Sequence, residues 1–248
     1  MMAYMSQSVL LLHGFTNTSR SWDAVIAQLP DHYRPIAPDI RGHGAASAAR
    51  PVTLDAVIED IAAVTPEPFT LVGYSMGGRI GLHAAFRLHD RVRRLVLIGA
   101  SPGLKDAVAR AERRASDCNL AEQADGQPLR EFIEQWARSP VLTGQTDAVR
   151  AAVDADRLRN EPAGLAAALR GLGTGALPSL WPRLGDLEIP VDLIVGERDA
   201  KFGAIAEQMA DALPHARVTV APHAGHAVHW ESPAAVADVI AERAVRRS

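Results

Sequence analysis

The chain has 248 residues, 48% of them apolar, and a formal net charge of -3. That length suits one domain with an insertion, and that much apolar side chain builds a sizeable core. The near balance of charge argues against a general pull toward nucleic acid or anionic membrane, and the single cysteine, Cys118, excludes an internal disulfide and fits a reducing compartment.

Residues 1–8 carry no lysine or arginine ahead of the apolar run Val9-Leu-Leu-Leu12. That run is too short for a signal-peptide core or a bilayer span, so it predicts a buried strand over 8–13 and a soluble, cytoplasmic protein. Residues 21–29 have helical spacing, with Trp22, Val25, Ile26 and Leu29 on one face. A strand follows over 34–38, a helix over 53–64, a strand over 69–73, a helix from Met76 to about Leu88 and a strand over 92–99. From Lys105 to about Leu184 the pattern turns helical and arginine-rich, with loop signals at 125–128 and 171–175. Strand signals resume over 190–196, then a helix near 205–213, a strand over 216–220 and a last helix from Pro233. Strands alternating with helices predict an α/β chain: a mostly parallel sheet covered on both faces. The expected organisation is a core of residues 1–104 and 185–248 with a helical cap over 105–184 inserted into it. No repeat or low-complexity tract interrupts it.

Gly73-Tyr-Ser-Met-Gly77 fits G-x-S-x-G at a strand-to-helix junction, the setting of a nucleophile elbow. The glycines let neighbouring backbone approach closely, and the following helix points its positive end at Ser75. A serine hydroxyl needs a base, and the base an orienting acid. Asp199 lies just past a strand, with Glu197 as the competing carboxylate. His226 lies on the loop after the next strand, between His223 and His229. The spacing of three among those histidines lacks the carboxylate or cysteine neighbours of a metal site, and neither a metal nor a cofactor is expected. His13 and His43 read as loop-shaping, and His32, His83, His89 and His215 as ordinary. The backbone N–H groups of Phe15 and Met76 are placed to form an oxyanion hole, and Tyr74 is expected to donate a hydrogen bond beside the serine.

Together these features resemble the α/β-hydrolase fold family over nearly all the chain outside the cap. That family holds esterases, carbon–carbon bond hydrolases, lyases and non-catalytic receptors, so fold alone does not select a reaction. A finer resemblance does. "LLHGFT", "GYSMGGR", "ASPGL", "AERRASD", "LRGLGTGALPSLW", "GERDAKF" and "AGHAVHWE" are similar to the 2-succinyl-6-hydroxy-2,4-cyclohexadiene-1-carboxylate synthases of menaquinone biosynthesis. The chain departs from them at Leu177, where that family usually carries glutamine. The resemblance implies a lyase that removes a ring proton and expels pyruvate, with Ser75 as base rather than acylated nucleophile. It also implies a small polycarboxylate substrate held by arginines: Arg79, one helical turn after Ser75, Arg159, and either Arg113 or Arg114, with Trp136 as a pocket aromatic. A serine hydrolase using the same triad, and a receptor without turnover, are the alternatives. Lys105 and Lys201 are the only lysines among 26 basic residues, and most of the arginines read as solvated side chains. Nothing in the sequence calls for a second copy of the chain.

Overall fold

A computed structural model describes residues 7–64 and 67–245; residues 1–6 of the leader reading lie outside the described residues. The chain opens with strand β1 (Gln7–Leu12), a 3₁₀ turn (Ser19–Trp22) and a short helix α1 (Asp23–Ile26). Then come β2 (Tyr33–Ile36), α2 (Leu54–Val64), β3 (Phe69–Tyr74), α3 (Met76–Arg87) and β4 (Val92–Ile98). Four helices follow without a strand: α4 (Ala107–Gly126), α5 (Leu129–Trp136), α6 (Asp147–Arg157) and α7 (Pro162–Leu172). The chain finishes with β5 (Val191–Gly196), α8 (Ala200–Ala212), β6 (Ala216–Ala221), α9 (Val228–Glu231) and α10 (Pro233–Val245).

The six strands form one sheet in the order β2-β1-β3-β4-β5-β6. Among the described residues every pairing is parallel, so the sheet they form is wholly rather than mostly parallel. Successive side chains of a strand point to opposite faces, and the apolar runs fill both. Leu10, Leu12, Leu71, Leu95, Leu97 and Leu193 pack under α2, α3 and α8. Val9, Leu11, Val72, Val96, Ile98 and Ile194 pack under α1, α9 and α10. A third cluster, Ala121, Ala124, Phe132, Ile133, Leu165, Ala166 and Leu169, ties α4, α5 and α7 together. No helix of the described residues is long and apolar enough to cross a membrane.

Two expected helices differ. The segment 21–29 yields only the 3₁₀ turn and four residues of α1, because Thr18 caps the turn by accepting from the Arg20 N–H at 3.3 Å. That turn already buries Trp22, which leaves little length before Pro30. Helix α8 begins at Ala200 instead of 205, because the Asp199 carboxylate accepts the Phe202 N–H at 3.2 Å as its N-cap. The arginine reading also changes in one place. Arg94, 7% exposed, donates to buried Asp192 at 2.8 Å and to the Ile240 carbonyl at 2.7 Å, so it braces β4 against β5 and α10 rather than meeting solvent.

Candidate active site

The carboxyl ends of β1, β3, β5 and β6 lie along one edge of the parallel sheet, the edge where open α/β sheets place their ligands. Ser75 stands between β3 and α3 with φ 50° and ψ -107°, a conformation costing roughly 1–3 kcal/mol for a residue with a Cβ. The turn is held on both sides. The Ser75 N–H donates to Ile98 O at 2.9 Å, and Ser75 O accepts from the Arg79 N–H at 3.0 Å. Gly73 is required by packing: a Cβ there would lie 2.6 Å from Gly77 O and from the Gly78 Cα.

His226 reaches Ser75 from the loop after β6. Its Nε2 is 3.3 Å from Ser75 Oγ, and its Nδ1 is 2.6 Å from Asp199 Oδ2. A carboxylate can only accept, so Nδ1 carries a proton, and in the neutral imidazole that leaves Nε2 to accept from the hydroxyl. Asp199 is fixed by its second oxygen, which caps α8. The ring of His226 is flanked by Phe202 at 4.4 Å and Tyr74 at 5.3 Å between centroids. Glu197 is turned away: its carboxylate accepts from the His223 N–H at 2.8 Å and lies 3.3 Å from His223 Nδ1. The chain order serine, aspartate, histidine therefore converges in space as the sequence pattern requires.

The remaining histidines take other parts. His13 lies 2.9 Å from Gly14 O through Nδ1, and its Nε2 accepts the Ile40 N–H at 2.9 Å. His43 packs edge-on to His13 and Phe15, and burial pushes its imidazole down to about 3. His229 lies 4.1 Å from the Tyr74 ring, and burial, helped by His226, pushes it down to about 3 as well. Among the described residues, no group of three or more His, Cys, Asp or Glu could hold a metal ion.

Above Ser75 opens a cavity of about 380 Å³, of a size that encloses small molecules. Phe15 and Met76 both line it, and neither backbone N–H donates to a protein acceptor among the described residues. The lining carries five cationic side chains, Arg79, Arg113, Arg157, Lys105 and Lys201, against one carboxylate, Asp117. Asp117 is already committed to Arg113 Nε at 2.7 Å and the Gly175 N–H at 3.0 Å. Arg79 is 8% exposed; burial and then the nearby Arg113 pull its guanidinium down to about 10. Burial likewise lowers Arg157, whose Nη1 lies 3.2 Å from Asp154. Tyr74 lines the cavity with its hydroxyl proton firmly held, burial raising it and Arg157 opposing. The expected donated bond from that hydroxyl finds no protein acceptor among the described residues. Trp136 lines the wall edge-on to Phe15 at 5.1 Å.

The structure separates the arginine candidates. Arg113 faces the cavity because it shares a helix face with Asp117, four residues on. Arg114 is exposed and does not line the cavity; its backbone packs on Gly175. Arg159 is a correction. It lies at a separate shallow recess with Arg20, Asp39 and Gly44, and the cavity receives Arg157 instead. Two residues apart at a helix end point to opposite sides. The signal was present in the sequence: Arg157 falls four residues after Val153, on the buried stripe of α6. The two lysines were missed because isolated lysines carry no motif. Lys105 stacks over Trp181 at 4.0 Å, and Lys201 stands in the first turn of α8, two residues past Asp199.

The model of the alpha/beta hydrolase family matches residues 9–239. Proteins named 2-succinyl-6-hydroxy-2,4-cyclohexadiene-1-carboxylate synthase are 38% identical in Salmonella paratyphi C and 36% in Enterobacter sp.. The matches cover 95% and 94% of this chain and 92% and 90% of those proteins. The solved structure of MenH from S. aureus superposes with a TM-score of 0.90 at 31% identity, covering 96% of this chain and 93% of that one. The chain belongs to the alpha/beta hydrolase family and, within it, to the family of these synthases.

Proposed function

We propose that this member of the synthase family is a carbon–oxygen lyase that converts 2-succinyl-5-enolpyruvyl-6-hydroxy-3-cyclohexene-1-carboxylate into the 2,4-diene by expelling pyruvate. The observation that carries the reading is the cation-lined cavity directly over a Ser-His-Asp array. The substrate bears three carboxylates, and arginine forks supply both their charge and their orientation.

In this reading the Ser75 hydroxyl, its proton passing to His226 Nε2, takes the ring proton next to the succinyl ketone. The electron pair forms the C2–C3 double bond, the C3–C4 double bond shifts to C4–C5, and the C5–O bond breaks. The released enol oxygen of pyruvate takes its proton back from His226, so no water is consumed. The ketone oxygen gains negative charge as the ring proton leaves, and the Phe15 and Met76 N–H groups stand to receive it. Asp199 fixes the imidazole tautomer and offsets its positive charge. Arg79, Arg113 and Arg157 hold carboxylates, with Tyr74 and Trp136 on the wall. Residues 105–184 form the cap that brings Arg113, Trp136 and Arg157 over the serine.

The test is a coupled assay in which the preceding synthase supplies the labile precursor and pyruvate release is followed. Ser75→Ala or His226→Ala is expected to lower turnover by roughly 10³–10⁶-fold. Ser75-independent release at the wild-type rate would overturn the mechanism. No acceleration over the spontaneous background would move the same array to ester hydrolysis.

A further inference from the structure

We infer that Asp156 and Asn160, at the end of α6 in the cap, are positioning residues that set the Phe15 N–H of the oxyanion hole. The inference rests on the role proposed above for Phe15. The residue after it, Thr16, has φ 66°, a left-handed conformation that a β-branched residue keeps only when its surroundings impose it. What imposes it comes from the cap. Asn160 Nδ2 donates to Thr16 O at 2.7 Å and to Arg157 O at 2.9 Å, while its Oδ1 accepts the Gly44 N–H at 3.0 Å. The Asp156 carboxylate accepts from the Thr18 N–H at 3.0 Å, from Asn17 Nδ2 at 3.3 Å and from the Thr18 hydroxyl. Both side chains are 3% exposed.

Three consecutive residues after Phe15 are thus tied to one turn of chain more than a hundred residues away. Thr16 in turn donates its hydroxyl to Phe15 O at 2.6 Å, which fixes the Phe15–Thr16 peptide directly after the residue that carries the N–H. From the cap side, the Phe15 ring is held edge-on by Phe132 at 6.4 Å and by Trp136. Between the two bracing residues sits Arg157, which lines the cavity. One rigid turn therefore carries a cation for the substrate and the brace for the oxyanion donor. A cap that seated the cation without the brace would bind substrate and leave the developing negative charge poorly met.

A brace and a mere anchor are separated by a rate constant that does not depend on how much protein is folded. With excess fluorophosphonate, Ser75 Oγ forms a bond to phosphorus, fluoride leaves and His226 takes the proton, while the phosphoryl oxygen occupies the oxyanion hole. The first-order labelling constant of Ser75 is read by mass spectrometry for Asp156→Asn, Asn160→Ala and Arg157→Ala. Asp156→Asn and Asn160→Ala are expected to label at least ~10-fold more slowly, since a shift of about 1 Å in a catalytic group can cost on the order of 10²-fold. In pyruvate release their kcat should fall in parallel while KM stays within about threefold, the signature of an interaction made in the transition state. Arg157→Ala should label within about twofold of wild type and lose kcat/KM for pyruvate release, because the neutral probe needs no carboxylate clamp. Partial misfolding lowers the amount labelled and leaves the constant readable. Wild-type labelling constants and wild-type kcat in both brace variants would overturn the inference. Slow labelling of both variants by a protein that releases no pyruvate would keep the brace and refute the lyase reading.

Discussion

Replacing Asp199 with asparagine separates the orientation of the candidate base from everything else in the site. Asp199 serves two partners: Oδ1 accepts the Phe202 N–H at 3.2 Å as the cap of α8, and Oδ2 meets His226 Nδ1 at 2.6 Å. A carboxamide has one accepting end. If its oxygen keeps the cap, its NH₂ faces Nδ1, which must then give up its proton and accept. The proton moves to Nε2, the nitrogen 3.3 Å from Ser75 Oγ, and the base can no longer take the hydroxyl proton. Trapping the wrong tautomer in this way costs about 10⁴ in kcat, or about 5.4 kcal/mol at 1.36 kcal/mol per tenfold. The opposite orientation keeps the tautomer and sacrifices the cap, at about 1 kcal/mol of stability. The expected outcome is therefore a folded variant with an unchanged melting temperature and pyruvate release reduced by 10³–10⁴-fold, on the order set by the tautomer. A kcat within tenfold of wild type in a folded Asp199→Asn protein would refute the role of Asp199. Glu197→Gln, whose carboxylate is occupied by His223, should leave turnover unchanged.

Arg157→Ala should lower kcat/KM by about 10²-fold, in line with loss of a charge-assisted bidentate contact worth a few kcal/mol; Arg159→Ala should be silent, and kinetics that reversed this order would contradict the placement of the two side chains. Arg79→Lys should recover only part of the loss in Arg79→Ala, because a point charge replaces a planar fork; full recovery would show that charge alone suffices. Acid should destabilise the fold steeply. His43 and His229 are held neutral down to about pH 3 and His83 down to about pH 4 in the folded chain, and burial lowers His13 as well, whereas in the unfolded chain they take up protons near the ordinary 6.5. As the pH falls from about 6 toward 4, the unfolded state gains at least three protons that the folded state refuses, which for three costs up to about 4.1 kcal/mol per pH unit. Chemical denaturation at pH 7, 6, 5 and 4 measures that slope, and His229→Phe should shallow it by up to about a third; an unchanged slope in that variant would remove His229 from the account.

The alternation of strands and helices, and the triad in chain order, were legible because they are local. Val9-Leu-Leu-Leu12 can only be a strand buried on both faces, and a serine between glycines at a strand-to-helix junction has few other readings. Asp199 was separable from Glu197 by its loop position, and that contest is decided physically by which carboxylate caps α8. The helix over 21–29 was misjudged because a periodic pattern does not show that a threonine cap has already started a tighter turn.

The cap is where local reasoning gave out. Which of Arg113 and Arg114, or of Arg157 and Arg159, faces the cavity depends on how its helix is rotated. For α4 that rotation is set by Ala121 and Ala124 packing with Phe132, Leu165 and Leu169, far apart in the chain, and for α6 by Asp156 accepting from Asn17 and Thr18. Lys105 and Lys201 enter the cavity only because the loop after β4 and the start of α8 end at the same sheet edge. Asp156 and Asn160 belong to no sequence motif, and only the fold sets them against residues 16–18. The sequence by itself determined the parallel α/β core and picked out the serine, aspartate and histidine that the fold brings together, since backbone period and turn chemistry act over a few residues. Tertiary structure alone decided which charges converge on that serine, because convergence is a property of packed surfaces.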